Sequence, residues 1–416
     1  MPRRKVIKEV DRKSASELLR LILDELHRQL IEELQVDAEI RKLNARLIFH
    51  LIFYTLLYED EISLRKMSHH SSTFQFWGLA GQACETLAHN SIRRRLLTIS
   101  VEYFRKIYDH LYEKLAQQYN PRELKRQFNL KRLDSTMIHT FAYLLDGMKV
   151  GNTSKNKRQV KFCTEMQGEG LLHMHFFSDQ QHVGDERTLR EVILDRSPGS
   201  EDIVVFDSGL KSRATFVEFH QAGIQFVTRL NTNPVHEVIG PTDVRGFSHS
   251  KEQIAANLPG CAPVISDEMV YLSAARYQKV EQPFRLIKLD IGEEHPLCIL
   301  TNITFFEPEV IGSLYRSRWD IEVLFRFLKQ EFSLKHLVSH DHNAIEVMIY
   351  MTLITAMMVL LYKKQNQVHG YWRAKAQFLN DLMEEVLYMA TSDPPTQQLI
   401  QERLLQKRSK LIRKIE

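Results

Sequence analysis

Asp202-Ile203-Val204-Val205-Phe206-Asp207 is a run of four apolar residues closed at both ends by an acid. An apolar run this short, without alternation, reads as a strand buried on both faces, as in a sheet covered by helices. Working outward, residues 210–223 (LKSRATFVEFHQAG) have helical periodicity and stop at Gly223, and 224–230 (IQFVTRL) reads as the next strand. Upstream, 186–194 (ERTLREVIL) reads as a helix, preceded by three strand candidates at Arg132–Thr140, Val160–Gln167 and the alternating Leu171–Ser178. Three strands followed by helix, strand, helix and strand define an α/β layer structure.

The flanks differ in texture. Residues 1–128 read as a helical N-terminal region: Leu18, Ile22, Leu26 and Leu30 recur every four residues, and LIFHLIFYTLLY (47–58) reads as a core helix. Within this region Ser91, Ile92 and Arg93, Arg94 and Arg95 read as a capped recognition helix of a helix-turn-helix. The first part of the α/β core is expected over 129–230, a β-rich insertion over 231–304, the C-terminal helices of the core over 305–365, and a basic helical tail over 366–416. Two strong helical patterns lie in the core's last part, GSLYRSRWDIEVLFRFLKQEF (312–332) and NAIEVMIYMTLITAMMVLLYKK (343–364). The second contains sixteen uncharged residues from Val347 to Tyr362, short of the roughly 20 that a membrane span needs, so a buried core helix is expected and no membrane.

With 416 residues, 44% of them hydrophobic and 26% charged, the chain is long enough for two or three domains, and its sparse Gly and Pro exclude collagen-like and low-complexity classes. Four scattered cysteines, with no CxxC pair, exclude a disulfide scaffold or zinc ribbon and fit a reducing cytoplasm. The opening residues, MPRRKVIKEVDRKS, lack the apolar run of a secretion signal. Net charge is only +4, but from Ser91 to Arg132 eleven basic residues face four acidic ones. A second basic cluster, Lys149, Lys155, Lys157, Arg158 and Lys161, contains no acid. Basic clusters in a balanced chain point to a polyanion held at particular surfaces. Lys155, Lys157 and Arg158 are the expected contacts to a DNA backbone, with Arg93, Arg94 and Arg95.

Three acids carry the chemical signal. Asp134 sits inside a strand candidate, in RLDST; Asp207 ends DIVVFD; Glu322 lies inside YRSRWDIEVLFRFLK. Acids in apolar strands are costly to bury without a neutralising partner, which makes them candidates for holding divalent ions. If the two strands are parallel neighbours, their carboxylates and a glutamate from a covering helix suit a pair of ions for attack on phosphodiesters. Oxygen donors without His or Cys favour Mg²⁺ or Mn²⁺. Tyr315, Arg318, Glu322 and Lys329, at offsets of 0, 3, 7 and 14, share one face of a continuous helix. Arg318 and Lys329 are then placed to hold phosphates beside the ions, and Tyr315 to touch the backbone.

Tyr315-x2-Arg318-x3-Glu322-x6-Lys329, with Asp134 in LDST and Asp207 in FDSGL, resembles the signature of the DDE transposases of bacterial insertion sequences, in the large group numbered four. The resemblance covers most of the chain. It implies a ribonuclease-H-like catalytic domain with the first Asp on the first strand, the second ending the fourth, and the Glu on a helix beyond a β-rich insertion. It further implies Asp134, Asp207 and Glu322 as catalytic metal ligands and cut-and-paste movement of an element. The implied partners are double-stranded DNA (terminal inverted repeats and target) and a second copy of the chain. Ser208 and Leu210 depart from the family pattern after the second Asp, and Trp77, Trp319 and Trp372 all lie outside the insertion.

Overall fold

In a computed structural model of the chain the described residues are 15–19, 24–38, 40, 42–82, 84–119, 128–139, 148–149, 158–168, 170–196, 198–199, 201–230, 234–243, 258–273, 279–332, 334, 338–339 and 341–392. Seven helices come first: α1 (Ala15–Leu19), α2 (Asp24–Glu33), α3 (Ala45–Tyr58), α4 (Leu64–His70), α5 (Phe74–Ala80), α6 (His89–Thr98) and α7 (Val101–Tyr119). Strands β1 (Asn129–His139), β2 (Met148–Lys149), β3 (Arg158–Gln167) and β4 (Gly170–Phe177) follow, then α8 (Asp185–Arg196), β5 (Asp202–Phe206), α9 (Arg213–Gln221) and β6 (Gln225–Arg229). Next are β7 (His236–Pro241), β8 (Val264–Ser273), β9 (Lys279–Leu289) and β10 (Leu297–Thr301), and last α10 (Pro308–Ser317), α11 (Trp319–Glu331), α12 (His342–Gln365) and α13 (Tyr371–Ser392). The chain divides into two compact units, residues 1–117 with 327–416, and residues 118–326.

The first unit is helical. Asn44, Ser63 and Thr73 cap α3, α4 and α5, each accepting a backbone N–H three residues on. Its central element is α12, long and apolar enough to cross a membrane, with 89% of its most apolar stretch buried inside the protein. The sequence reading assigned this helix to the catalytic core; it groups instead with the N-terminal helices and touches α3, α6 and α13. A helix apolar around its whole circumference needs neighbours on all sides, and a bundle supplies them. Ser91 does not cap α6, whose N-cap is Ala88; it lies in the first turn. The basic tail expected over 366–416 is described only as far as Ser392, within α13; the remainder lies outside the described residues.

The second unit is a ten-stranded sheet in the order β2-β3-β1-β5-β6-β10-β9-β8-β7, with β4 also on β3. β1, β5 and β6 run parallel, and β3 lies antiparallel to β1. The alternation of β5 explains why DIVVFD carries no polar residue in its interior: Val204 and Phe206 enter a core with Leu189, Ile193, Phe216 and Phe219 of α8 and α9. Ile203 and Val205 enter the opposite core with Val310, Ile311 and Leu314 of α10. This is the α/β, ribonuclease-H-like arrangement that the resemblance implied. With the two-residue β2 set aside, Asp134 lies on the first strand and Asp207 follows the end of the fourth.

The β-rich insertion is an antiparallel meander, β7 to β10, which extends the core sheet through the pairing of β10 with β6. Arg285 of β9, fully buried, grips Asp267 of β8 by Nε and Nη2 at 2.8 and 2.7 Å, and its Nη1 donates to the carbonyls of Ile303 and Phe306. The fork fixes the passage from β10 into α10.

Candidate active site

The parallel ladder between β1 and β5 pairs Arg132 with Val205. Continued by two residues, past the end of β5, the same register runs Asp207 toward Asp134 from a strand about 4.8 Å away. Parity puts both on the α10 side of the sheet: Leu130 shares its face with Asp134, and Ile203 and Val205 share theirs with Asp207. The Tyr315 hydroxyl of α10 donates to Asp207 Oδ1 at 3.1 Å, and the Ser135 N–H donates to Asp134 Oδ1 at 2.8 Å.

The third acid arrives differently from expectation. The single helix read across 312–332 is broken: α10 ends at Ser317, Arg318 forms a turn, and α11 starts at Trp319. The buried Ser317 hydroxyl donates to the Leu314 carbonyl at 2.6 Å, and the Arg318 N–H turns to Tyr315 instead. A hydroxyl inserted into the ladder bends the helix. Ser317 also accepts from Arg132 Nε at 3.3 Å, so the break lies over β1, two residues from Asp134. Tyr315 therefore sits before the break and Glu322 after it. Arg318 at the break reaches both: its guanidinium carbon lies 5.7 Å from the Tyr315 ring centre, and its Nη2 is 2.6 Å from Glu322 Oε1.

Burial pushes the Asp134 carboxyl up to about 6, with Glu322 and Asp207 adding to the rise and the Ser135 N–H and Arg318 opposing it. Burial also raises the Tyr315 phenol, as does the Asp207 charge, so it stays protonated and donates. Burial works against the Arg318 charge, but Tyr315, Asp207 and Glu322 outweigh it and hold its pKa above the ordinary value. Among the described residues no group of three or more His, Cys, Asp or Glu side chains is gathered tightly enough to hold a metal ion. In this structure Glu322 is turned to Arg318. A cavity of about 680 Å³ opens beside the helix break, with Leu289, Ile291, Tyr315, Arg318 and Trp319 in its lining.

The expected DNA contacts divide. Arg93 and Arg94 are exposed on α6, whereas Arg95 is buried with Ile92 and Leu96, ion-paired with Asp37 and hydrogen-bonded to the Val36 carbonyl at 3.3 Å. Helical periodicity turns the third arginine inward. Lys155 and Lys157 lie outside the described residues, and Arg158 begins β3. Lys329 is on α11, two turns beyond Glu322. Lys161, expected at the surface with that cluster, is 2% exposed and bonded to Asp185 at 2.9 Å. The sequence reading missed Arg132, Asp185 and Glu186. For Arg132 the available signal was a cation at the same strand parity as Asp134.

The transposase DDE domain matches residues 123–358, more than half of the chain, and the chain belongs to that family. It is similar to a protein of Sinorhizobium fredii described as "Putative transposase y4zB", 24% identical over 169 residues, 39% of this chain and 43% of that one. It is also similar to a Synechocystis protein described as "Putative transposase for insertion sequence element IS4SA", 30% identical over 82 residues, 20% of this chain and 24% of that one. The matches therefore span less than half the length of these relatives. Among solved structures, a piggyBac transposase in a synaptic complex with hairpin DNA aligns with a TM-score of 0.48 at 11% identity, over 95% of this chain and 85% of that one.

Proposed function

We propose that this chain is the transposase of a bacterial insertion sequence, acting in the cytoplasm to move the element by cut-and-paste. It would cut double-stranded DNA at terminal inverted repeats and join the freed 3′ ends to target DNA. The observation that supports this reading is the register of β1 and β5, which runs Asp134 toward Asp207, with Tyr315 and Arg318 linking Asp207 to Glu322.

Asp134, Asp207 and Glu322 are the residues that would hold Mg²⁺ or Mn²⁺, two ions on this reading. Their donor set is hard oxygen alone, and a divalent cation would relieve the cost of burying the Asp134 charge, to which Glu322 and Asp207 add. Bound there, such ions supply charge stabilisation to the attacking and leaving oxygens of an in-line displacement. The chain's own groups supply the rest. Tyr315 fixes the Asp207 carboxylate through its hydroxyl. Arg318 and Lys329 bind phosphates flanking the cut. Arg93 and Arg94, with Lys155, Lys157 and Arg158, contact the DNA backbone. Handling two element ends at once calls for a homodimer on DNA.

The test uses duplexes carrying the inverted repeats that bracket the coding region, with Mg²⁺ or Mn²⁺. Wild type is expected to cut at the element end and, given a pre-cut 3′-hydroxyl end, to join it to a second duplex. Asp134→Asn is expected to do neither. Degradation without joining would make the chain a nuclease, and full cutting by Asp134→Asn would remove that acid from the mechanism.

A further inference from the structure

Asp134 lies on β1 and Asp207 just beyond the neighbouring strand β5, so strand pairing alone does not hold the two acids. Asp207 lies past the end of β5, in a turn outside the ladder, and two like charges side by side push the turn away from β1. One turn of helix touches both acid-bearing segments. Asp185, the first residue of α8, accepts from the Ser135 hydroxyl at 2.7 Å and from Lys161 Nζ at 2.9 Å. Ser135 immediately follows Asp134 and points to the opposite face of β1. Glu186, the next residue of α8, accepts the backbone N–H groups of Lys211 and Ser212, the latter at 3.0 Å. Between these contacts the Asp207 turn packs directly on the helix. A Cβ added to Gly209 would lie 2.6 Å from Asp185 Cβ and 3.3 Å from Leu189 Cδ1, so only glycine allows that approach.

We propose that Asp185 and Glu186 are positioning residues: the first turn of α8 braces the segments bearing Asp134 and Asp207 from behind the sheet and keeps the two carboxylates in register for divalent ions. The inference rests on the proposed function, because it gives these residues a purpose only if the aspartates bind ions together. It predicts that the Glu186 arm of the brace acts through hydrogen-bond acceptance and not through net charge, since the partners of Glu186 are neutral backbone N–H groups.

The experiment is a Mn²⁺ titration of the full chain by calorimetry, with DNA affinity and cleavage measured alongside. Glu186→Ala is expected to weaken Mn²⁺ binding and slow cleavage by about ten-fold or more, the usual cost of losing a group that orients a metal ligand. DNA affinity should not change, and Glu186→Gln, which keeps an acceptor oxygen, should restore both losses. Ser135→Ala removes the other arm of the brace without altering the helix and is expected to weaken Mn²⁺ binding in the same direction. If Glu186→Ala and Ser135→Ala bind Mn²⁺ as wild type does, or if Glu186→Gln behaves like Glu186→Ala, the inference is overturned while the proposed function stands. A wild-type chain that binds no Mn²⁺ overturns both.

Discussion

Arg318 holds Glu322 through a contact of 2.6 Å between Nη2 and Oε1, both side chains being largely buried, at 11% and 30% exposure. The same guanidinium lies against the Tyr315 ring, and Tyr315 in turn holds Asp207. One arginine is therefore linked to two of the three acids. Replacing it with Ala removes the proposed hydrogen-bond donor to phosphate and releases the Glu322 carboxylate. Single-turnover cleavage by Arg318→Ala is expected to fall by about 10²-fold, the usual cost of one lost donor at a developing charge. Arg318→Lys should recover little, because an ammonium lacks the fork that spans two partners.

Asp134 makes stability depend on pH in a defined direction. Its folded pKa, about 6, lies above the ordinary 3.8 because burial disfavours the charged form. Between those values the folded chain binds more protons than the unfolded one, so stability falls as pH rises through the window. Above it, the ionised carboxylate costs on the order of 2 to 3 kcal/mol. In EDTA, Asp134→Asn is expected to resist urea better than wild type at pH 7.5 and to lose that advantage below about pH 4, where both chains carry a neutral side chain. Added Mn²⁺ should then raise the wild-type midpoint and leave that of Asp134→Asn unchanged.

Ser317 sets the break that separates Tyr315 from Glu322. Ser317→Ala removes the hydroxyl that takes the Leu314 carbonyl and receives Arg132, favouring a continuous helix. Turning α11 about that point displaces Glu322, and misplacement of a reacting group by about 1 Å costs about 10²-fold. Cleavage rate at saturating DNA should drop by that order. Stability should fall by only about 1 to 3 kcal/mol, measured by urea unfolding.

Asp267→Ala tests the support beneath α10. Arg285 is fully buried, and Asp267 is the carboxylate that forks with it. Breaking a buried pair by removing one partner costs about 3 to 5 kcal/mol. Urea unfolding followed by a probe in the insertion should report that loss.

Much of this arrangement was legible in the sequence, for reasons that differ by element. DIVVFD announced a strand buried on both sides because its residues serve two cores at once, and the order of Asp134, Asp207 and Glu322 needed only local reading. What escaped depended on partners distant in sequence. The periodicity of residues 312–332 runs unbroken across Arg318, because the break is imposed by a hydroxyl whose second partner, Arg132, is 185 positions away. Arg95 looked like its two neighbours until Asp37, 58 positions earlier, drew it inward. The insertion was visible as β structure, but the pairing of β10 with β6 that joins it to the core leaves no mark in either strand alone.

The helical unit is assembled from two stretches on either side of the sheet unit in sequence, with α12 at its centre. During synthesis the N-terminal helices emerge more than two hundred residues before the segment they must enclose, while the unit spanning residues 118–326 is contiguous and can fold as it leaves the ribosome. The apolar faces of α3 and α6 must wait for their central partner, so nascent chains halted before residue 342 are the species on which chaperones should act.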